Sequence, residues 1–334
     1  MEGIVKQTKK IRPLGSTSPY AWAIEPSHGC NLRCGHCCRK LDPLDLKPYL
    51  IDETTWRAAW SVLAEVTPTV RADVCGCGEP TLHPELVRFL SIARELAPQA
   101  QIQVTTNGTM IKRGAVSFRE LLDAGANIVY DDMYGDRGEF RRLAVESGYP
   151  WYEYYNKPAD APSPWTYWGP HLKVIVLQEH PENWPASRRR AGLLGTWYNH
   201  LDWSAASRFG LIPIVQPPVR RCNQPFVYVP IDAWGRYLFC CQDGTSETCG
   251  MFGSVIDGVE GFKRYWYGRE MQIARRKLRD KDRASISPCS RCGITFSRCD
   301  YKRWTDEEVS RWWDGASWQN LEPGAKGQLD VNPA

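Results

Sequence analysis

The sequence lacks the features of a membrane-spanning or exported protein. No stretch of about 18 uncharged apolar residues occurs in the 334-residue chain, which argues against a membrane-spanning helix. The first residues, MEGIVKQTKKIRP, contain no apolar core of signal-peptide length. We therefore expect a cytoplasmic protein without a membrane partner, in a reducing compartment where disulfides do not persist.

A large excess of charge of one sign is also lacking. Lys and Arg number 42 against 38 Asp and Glu, and the net charge of +4 does not require a nucleic-acid partner. Hydrophobic residues make up 43% of the chain, a proportion typical of globular proteins. The length suits one large domain together with a smaller one.

Cysteine is absent between residues 78 and 221, yet the chain has 13 cysteines, which therefore lie in three groups. Because disulfides are not expected, metal binding, catalysis or burial must account for them. The first group has the spacing C-x3-C-x2-C, formed by Cys30, Cys34 and Cys37. Three thiolates on one loop can hold three irons of a 4Fe–4S cluster and leave the fourth iron open. Zinc is the alternative, since His28 or His36 could supply a fourth ligand.

Short apolar strands alternate with helices over the first two thirds of the chain, which predicts an α/β fold with a parallel sheet or barrel. Polar or glycine-rich residues follow each of the first four strands, at the edge where α/β barrels gather ligand contacts. Asp52 and Ser117 are predicted helix N-caps. The predicted strands are residues 20–25, 70–74, 101–105, 126–130, 172–177 and 211–215.

The segments after the first three strands together resemble the radical S-adenosylmethionine (radical SAM) superfamily. The C-x3-C-x2-C loop follows the first strand as in that family, and His36 stands where the family usually has an aromatic residue. Gly76–Pro80, with the sequence GCGEP, resembles the G-x-G-E-P form of the motif that receives the SAM amino group. Thr106–Gly108 resembles another family segment near SAM. The resemblance covers about residues 18–217.

This resemblance implies a partial (β/α)6 TIM-like barrel in which a 4Fe–4S cluster on Cys30, Cys34 and Cys37 binds SAM. One electron, from a reductant such as flavodoxin or ferredoxin, then cleaves SAM to a 5′-deoxyadenosyl radical that takes hydrogen from a substrate. For Asn107 and Asp131, turn and capping chemistry is the alternative to SAM binding. The residues implied to contact SAM or its surroundings are His36, Gly76, Gly78, Glu79, Asn107 and Asp131.

The C-terminal third carries a second cysteine pattern. Cys222 and Cys240 form C-x12-G-x4-C around a predicted β-hairpin at residues 226–239, and Cys289 and Cys292 form C-x2-C. The arrangement resembles the auxiliary-cluster extension of SPASM/twitch radical SAM enzymes, a β-hairpin plus helix. It implies one auxiliary 4Fe–4S cluster on these four cysteines, with a four-cysteine zinc ribbon as the alternative.

Only Cys299 follows the C-x2-C pair, so a second auxiliary cluster is not expected. Cys241 adjoins Cys240 and could replace it as a ligand. The predicted domains are a radical SAM core barrel at residues 18–217, a twitch/SPASM-like auxiliary cluster domain at 218–305 and a C-terminal tail at 306–334.

The resemblance implies oxidation, epimerisation or rearrangement of a peptide, aminocyclitol or sugar, so the expected partner is a small-molecule or peptide substrate. A cysteine outside the clusters could return hydrogen to a substrate radical, and Cys249 and Cys299 are the candidates for this catalytic role. Burial as inert thiols is the alternative for both.

Two other functions stay open at this point. Nine Lys and Arg residues at 263–283, interleaved with Tyr265, Trp266 and Tyr267, suit radical modification of a nucleoside in DNA or RNA. The aromatic-rich segment 134–170 suits the same substrate as a lid, although a solvated face and an insertion packed on the barrel are simpler interpretations. A non-catalytic zinc or electron-transfer protein would explain the cysteines but leaves Gly76–Pro80 without a role.

Overall fold

A parallel sheet forms the centre of the computed structural model. The model describes residues 19–32, 49–134, 136–154, 161, 167–179, 222, 224–241, 243, 248, 250–286 and 289–291. Within these ranges the strands are β1 (Ala21–Ile24), β2 (Arg71–Val74), β3 (Gln101–Thr106), β4 (Ile128–Met133), β5 (Trp151–Glu153), β6 (Val174–Glu179) and β7 (Tyr228–Ile231). All pair in parallel, in the order β5-β6-β4-β3-β2-β1-β7, and the sheet stays open.

Helices follow most of the strands. They are α1 (Glu53–Val66), α2 (Leu86–Leu96), α3 (Thr109–Lys112), α4 (Phe118–Asp123), α5 (Arg137–Ser147), α6 (Gln224–Val227), α7 (Gly258–Trp266) and α8 (Arg269–Arg279). Short 3-10 turns lie at Pro80–Leu82, Val255–Asp257 and Cys289–Arg291. In the part of the chain that the structure describes, no helix has the length and apolar character needed to cross a membrane.

Both predicted N-caps are confirmed. The Asp52 carboxylate accepts from the Thr55 N–H at 2.8 Å and starts α1. Ser117 starts α4 with a capping box, because its hydroxyl accepts from the Glu120 N–H and the Glu120 carboxylate accepts from the Ser117 N–H. These caps fix where two of the helices that cover the sheet begin.

The predicted fold class, an α/β partial barrel, is confirmed. Five of the six predicted strands occur within three residues of their expected positions. The sixth, at residues 211–215, lies outside the described residues.

Two strands differ from the sequence-based expectation. β5 was not predicted, and it extends the sheet beyond β6. Residues 228–231 were expected in a separate hairpin, but they form β7, which pairs in parallel with β1. The expected turn exists, since Ile231 bridges Tyr237 in antiparallel fashion. Pro230 is tolerated because β7 is an edge strand, and the sheet therefore continues beyond residue 217.

The two faces of the sheet are covered differently. The larger apolar cluster joins one face to the helices and includes Val129, Ile175 and Leu177. Their alternating neighbours Tyr130 and Val176 belong to a smaller cluster on the opposite face, to which no helix residue contributes in the described ranges. This second face is the one that a substrate can approach from inside a partial barrel.

Candidate functional site

The loop after β1 carries Cys30 to the carboxyl edge of the sheet. Cys30 is half-buried, and its sulfur accepts from the Leu32 N–H at 3.5 Å and from Asn107 Nδ2 at 3.8 Å. Such N–H donors around a thiolate suit a cluster ligand, because they disperse the negative charge on the sulfur. Cys34, Cys37 and His36 lie outside the described residues.

The glycine loop, residues 76–78 after β2, lies directly against the loop after β1. A Cβ at Gly76 would overlap the Glu25 side chain, and a Cβ at Gly78 would overlap the carbonyl oxygen of Ser27. The backbone N–H of Glu79 donates to the Gly29 oxygen at 2.6 Å. Glycine is therefore required at both positions so that the two loops can touch.

Glu79 joins the glycine loop to the end of β3. One carboxylate oxygen accepts from the Thr81 N–H at 3.0 Å and from the Thr106 hydroxyl at 2.6 Å. The other accepts from the Asn107 N–H at 2.8 Å. Burial raises the pKa of Glu79, and the hydrogen bonds from Thr106, Thr81 and Asn107 oppose that rise. The side chain thus fixes the turn after β3.

Asn107 has the turn role that its sequence context left open, and its contact with SAM stays a prediction. Its side-chain oxygen accepts from the Thr109 N–H at 3.0 Å and from the Thr109 hydroxyl at 2.6 Å, which is turn chemistry. Its side-chain nitrogen donates to Asn31 Oδ1 at 3.0 Å and lies near Cys30. The turn therefore orients an amide towards the cysteine loop.

Asp131 lies behind that turn, fully buried on the helix-covered side of β4. A Cβ at Gly108, whose φ of +72° favours glycine, would lie 2.5 Å from an Asp131 oxygen. Within the described ranges neither carboxylate oxygen has a hydrogen-bond partner. Burial raises the pKa of Asp131 well above its ordinary value, and the charges of Asp132 and Glu79 raise it further. Contact of Asp131 with SAM stays a prediction.

Glu25, at the end of β1, is a site residue that the sequence-based reasoning missed. Its buried carboxylate accepts from the N–H groups of Cys77 and Gly78 at 2.7 and 2.9 Å. It also accepts from the Ala233 N–H at 3.2 Å and lies 3.1 Å from His28 Nδ1. A carboxylate directly after an apolar strand was the available signal, since a buried charge needs such partners.

The C-terminal cysteines lie in or against the main core. Cys240 and Cys289 are buried, and Cys222 and Cys241 are partly buried beside them. Among the residues that the structure describes, no three His, Cys, Asp or Glu side chains form a metal-holding group. The described part alone therefore does not assemble the predicted auxiliary site. Cys249, Cys292 and Cys299 lie outside the described residues.

The aromatic residues considered for nucleic-acid stacking are buried. Tyr265, Trp266 and Tyr267 are at most 7% exposed. Phe262, on helix α7, stacks on Trp22 with 5.3 Å between the ring centroids. The expectation that these rings interleave a basic surface is therefore wrong. The spacing of Phe262, Tyr265 and Trp266 is that of a helix face packed on the core.

Known proteins are similar to this chain in the region that forms most of the sheet. Residues 24–152 match the sequence model of the Radical SAM superfamily. The chain is 29% identical over 138 residues to GTP 3',8-cyclase of Chlorobaculum tepidum, covering 41% of this chain and 40% of that protein. It is 28% identical over 121 residues to PqqA peptide cyclase of Gluconobacter oxydans, covering 32% of each. The chain thus spans well under half the length of these curated relatives.

The fold is similar to that of BtrN in complex with AdoMet and 2-DOIA. The TM-score is 0.56 at 18% identity, and the match covers 84% of this chain and 95% of that one. Residues 24–152 are thus similar in sequence to the Radical SAM superfamily, and the fold as a whole is similar to that of BtrN.

Proposed function

We propose that the protein is an enzyme that reductively cleaves SAM and uses the resulting radical to take hydrogen from a substrate. The observation that carries this proposal is the meeting of three strand-end segments at one edge of the sheet. Asn107 reaches from the end of β3 to Cys30, and Glu79 joins the glycine loop to the same turn. Each segment is one that the family resemblance assigns to the cluster or to SAM.

Cys30, Cys34 and Cys37 would hold a 4Fe–4S cluster, and the N–H donors around the Cys30 sulfur fit that role. A cluster bound there would supply the electron that cleaves SAM to a 5′-deoxyadenosyl radical. Glu79 and the glycine loop shape the surface for the amino-acid end of SAM. Since Glu79 uses both oxygens on protein donors, it acts by holding Thr106 and Asn107 in place.

A small polar substrate fits the sheet face opposite the helices. Gln103 pairs in register with Ile128 and Gln178 follows Val176 by two residues, so both amides share the face of the smaller apolar cluster. Asp73 pairs in register with Gln103 and accepts from the Tyr228 hydroxyl at 2.7 Å. Buried amides and carboxylates favour hydroxyl, amine or amide groups, as found in aminocyclitols, sugars and peptides.

The reaction on that substrate is oxidation, epimerisation or rearrangement, and Cys249 or Cys299 would return hydrogen in an epimerisation. We further propose that Cys222, Cys240, Cys289 and Cys292 hold an auxiliary 4Fe–4S cluster. The support is their spacing and the burial of both Cys240 and Cys289 in the main core. The burial of Tyr265–Tyr267 removes the main argument for a nucleic-acid substrate.

The test is anaerobic reconstitution with iron and sulfide, followed by incubation with SAM and dithionite. We expect 5′-deoxyadenosine from the wild type and none from Cys34→Ala, since removal of one of three ligands opens the cluster. Cys38→Ala is the matched control, because it changes a neighbouring cysteine without an assigned role. A colourless zinc protein, or equal 5′-deoxyadenosine formation in Cys34→Ala, would contradict the proposal.

A further inference from the structure

The Glu25 carboxylate contacts three separate parts of the chain, and two of them supply backbone N–H donors. Two donors are consecutive N–H groups of the glycine loop, Cys77 and Gly78, at 2.7 and 2.9 Å from one oxygen. The other oxygen takes the Ala233 N–H at 3.2 Å and lies 3.1 Å from His28 Nδ1. Glu25 is only 3% exposed, so water contributes little to satisfying this charge.

The two bonds to the glycine loop decide which way its carbonyl groups point. In a trans peptide the N–H and the C=O of one unit point in opposite directions. Because the N–H groups of Cys77 and Gly78 point towards Glu25, the carbonyl oxygens of Gly76 and Cys77 point away from it. Two neighbouring carbonyl oxygens on one side of a loop make a surface of acceptors, which suits an ammonium group.

The hydrogen bond from the Ala233 N–H links Glu25 to the C-terminal part of the chain. Ala233 lies in the turn after β7, which is closed by the Gly235 N–H bonding to the Asp232 oxygen at 2.9 Å. The next residue, Trp234, has its ring 4.8 Å from the His28 ring and 4.7 Å from the Tyr49 ring. The turn is thus fastened to the loop that leads to Cys30.

We propose that Glu25 is the positioning residue of the SAM site. It holds the carbonyl oxygens of Gly76 and Cys77 ready for the SAM ammonium group, and through Ala233 it couples this loop to the turn after β7. The coupling is a property of the fold, while the part that concerns SAM rests on the function proposed above.

The chemistry requires a carboxylate at this position. Three backbone N–H groups donate to it, and a carboxylate has only acceptors. Glu25→Gln keeps the size but places an NH2 group against either the glycine loop or Ala233. Ala233→Pro removes only the Ala233 N–H, and proline suits the second position of a turn. Both variants should therefore weaken the contact between Glu25 and the turn at Ala233, and Ala233→Pro does so without changing the carboxylate.

The experiment measures hydrogen exchange by mass spectrometry and SAM affinity by equilibrium dialysis on the reconstituted protein. We expect faster exchange at residues 77–78 or 233–236 in Glu25→Gln, and at residues 233–236 in Ala233→Pro. The dissociation constant for SAM should rise about tenfold in Glu25→Gln with the iron content unchanged. The exposed Glu65→Gln is the matched control, and it should behave as the wild type.

Two outcomes would overturn the inference. One is exchange in Glu25→Gln that equals the wild type at both segments, which would remove the coupling. The other is a SAM dissociation constant within about twofold of the wild-type value in that variant, which would remove the positioning role. Failure of the wild type itself to bind SAM would instead contradict the proposed function, and the exchange data would then decide the coupling alone.

Discussion

The side-chain nitrogen of Asn107 lies 3.8 Å from the sulfur of Cys30, and the oxygen of the same amide accepts from the Thr109 N–H in the turn that leads into α3. One side chain thus links the turn after β3 to the cysteine loop. Asn107→Asp keeps the oxygen that accepts from Thr109 but places a second carboxylate oxygen near the sulfur. We expect the cluster potential to fall and 5′-deoxyadenosine formation to drop about tenfold or more, because a negative charge near the cluster disfavours reduction.

The potential is measured by a redox titration followed by electron paramagnetic resonance. Asn107→Ala separates the two effects, since it removes the donor without adding charge and should lower the potential less. An unchanged potential in Asn107→Asp would show that the amide does not act on the cluster.

Gly78→Ala should abolish SAM cleavage and lower the melting temperature. The added Cβ would overlap the Ser27 carbonyl oxygen, which is backbone and has no room to move without separating the two loops. Gly138→Ala, in the first turn of α5, is the matched control and should leave both properties near the wild-type values. Calorimetry and the 5′-deoxyadenosine assay check the pair, and a fully active Gly78→Ala would refute the contact.

Asp131→Asn should melt at a higher temperature than the wild type at pH 8. Burial raises the pKa of Asp131 in the folded protein, so the folded state holds the proton more tightly than the unfolded state. Stability in the wild type therefore falls as the pH rises from about 4 towards the folded-state pKa, and asparagine removes this loss.

The difference between Asp131→Asn and the wild type should shrink as the pH falls towards about 4. Each kcal/mol of recovered stability corresponds to a gain of about 2–4 °C. SAM affinity, measured on the same samples, separates this effect from ligand binding: a weaker affinity would assign Asp131 to the SAM site as well. A lower melting temperature at pH 8 would contradict the burial argument.

Gln178→Met should also raise the melting temperature. Both polar atoms of the Gln178 side chain are buried without a hydrogen-bond partner in the described ranges, and methionine fills a similar volume without that cost. The expected gain is about 1–3 kcal/mol. A destabilised Gln178→Met would show that the amide has a structural partner. If the gain comes with loss of substrate turnover, Gln178 is a substrate contact.

Cys292→Ala tests the auxiliary cluster. The reconstituted wild type should hold about eight irons and the variant about four, while SAM cleavage continues. Cys299→Ala is the matched control, because Cys299 follows the C-x2-C pair but is outside the predicted ligand set. Full iron content in Cys292→Ala would remove this residue from the ligands.

Local sequence patterns predicted the parts of the fold that depend on local interactions. Apolar runs located β1 to β4 and β6, and the caps at Asp52 and Ser117 were read from single residues. β5 was not predicted because its three residues, which follow a proline, are too few to show the alternation of apolar and polar residues that is typical of a strand. β7 was assigned to a hairpin because its pairing with β1 joins residues about two hundred positions apart, which no local pattern records.

The site shows the same division. Gly76, Gly78, Glu79 and Asn107 were singled out because each follows a strand in a motif with a known spacing. Glu25 belongs to the same site, but its donors come from residues 77, 78 and 233, and only the folded chain brings them together. The prediction of an exposed basic surface with interleaved aromatic rings at residues 263–283 is wrong. The many Lys and Arg residues indicated an exposed helix, but Phe262 and Trp266 on that helix are buried.

The place of β7 beside β1 has a consequence for how the protein is made. β1 leaves the ribosome about two hundred residues before β7, so its outer edge is paired only after residue 231 has been synthesised. Until then an unpaired strand edge next to the cysteine loop is open to association with other chains. We therefore expect chains cut before residue 228 to aggregate more readily than chains that contain β7.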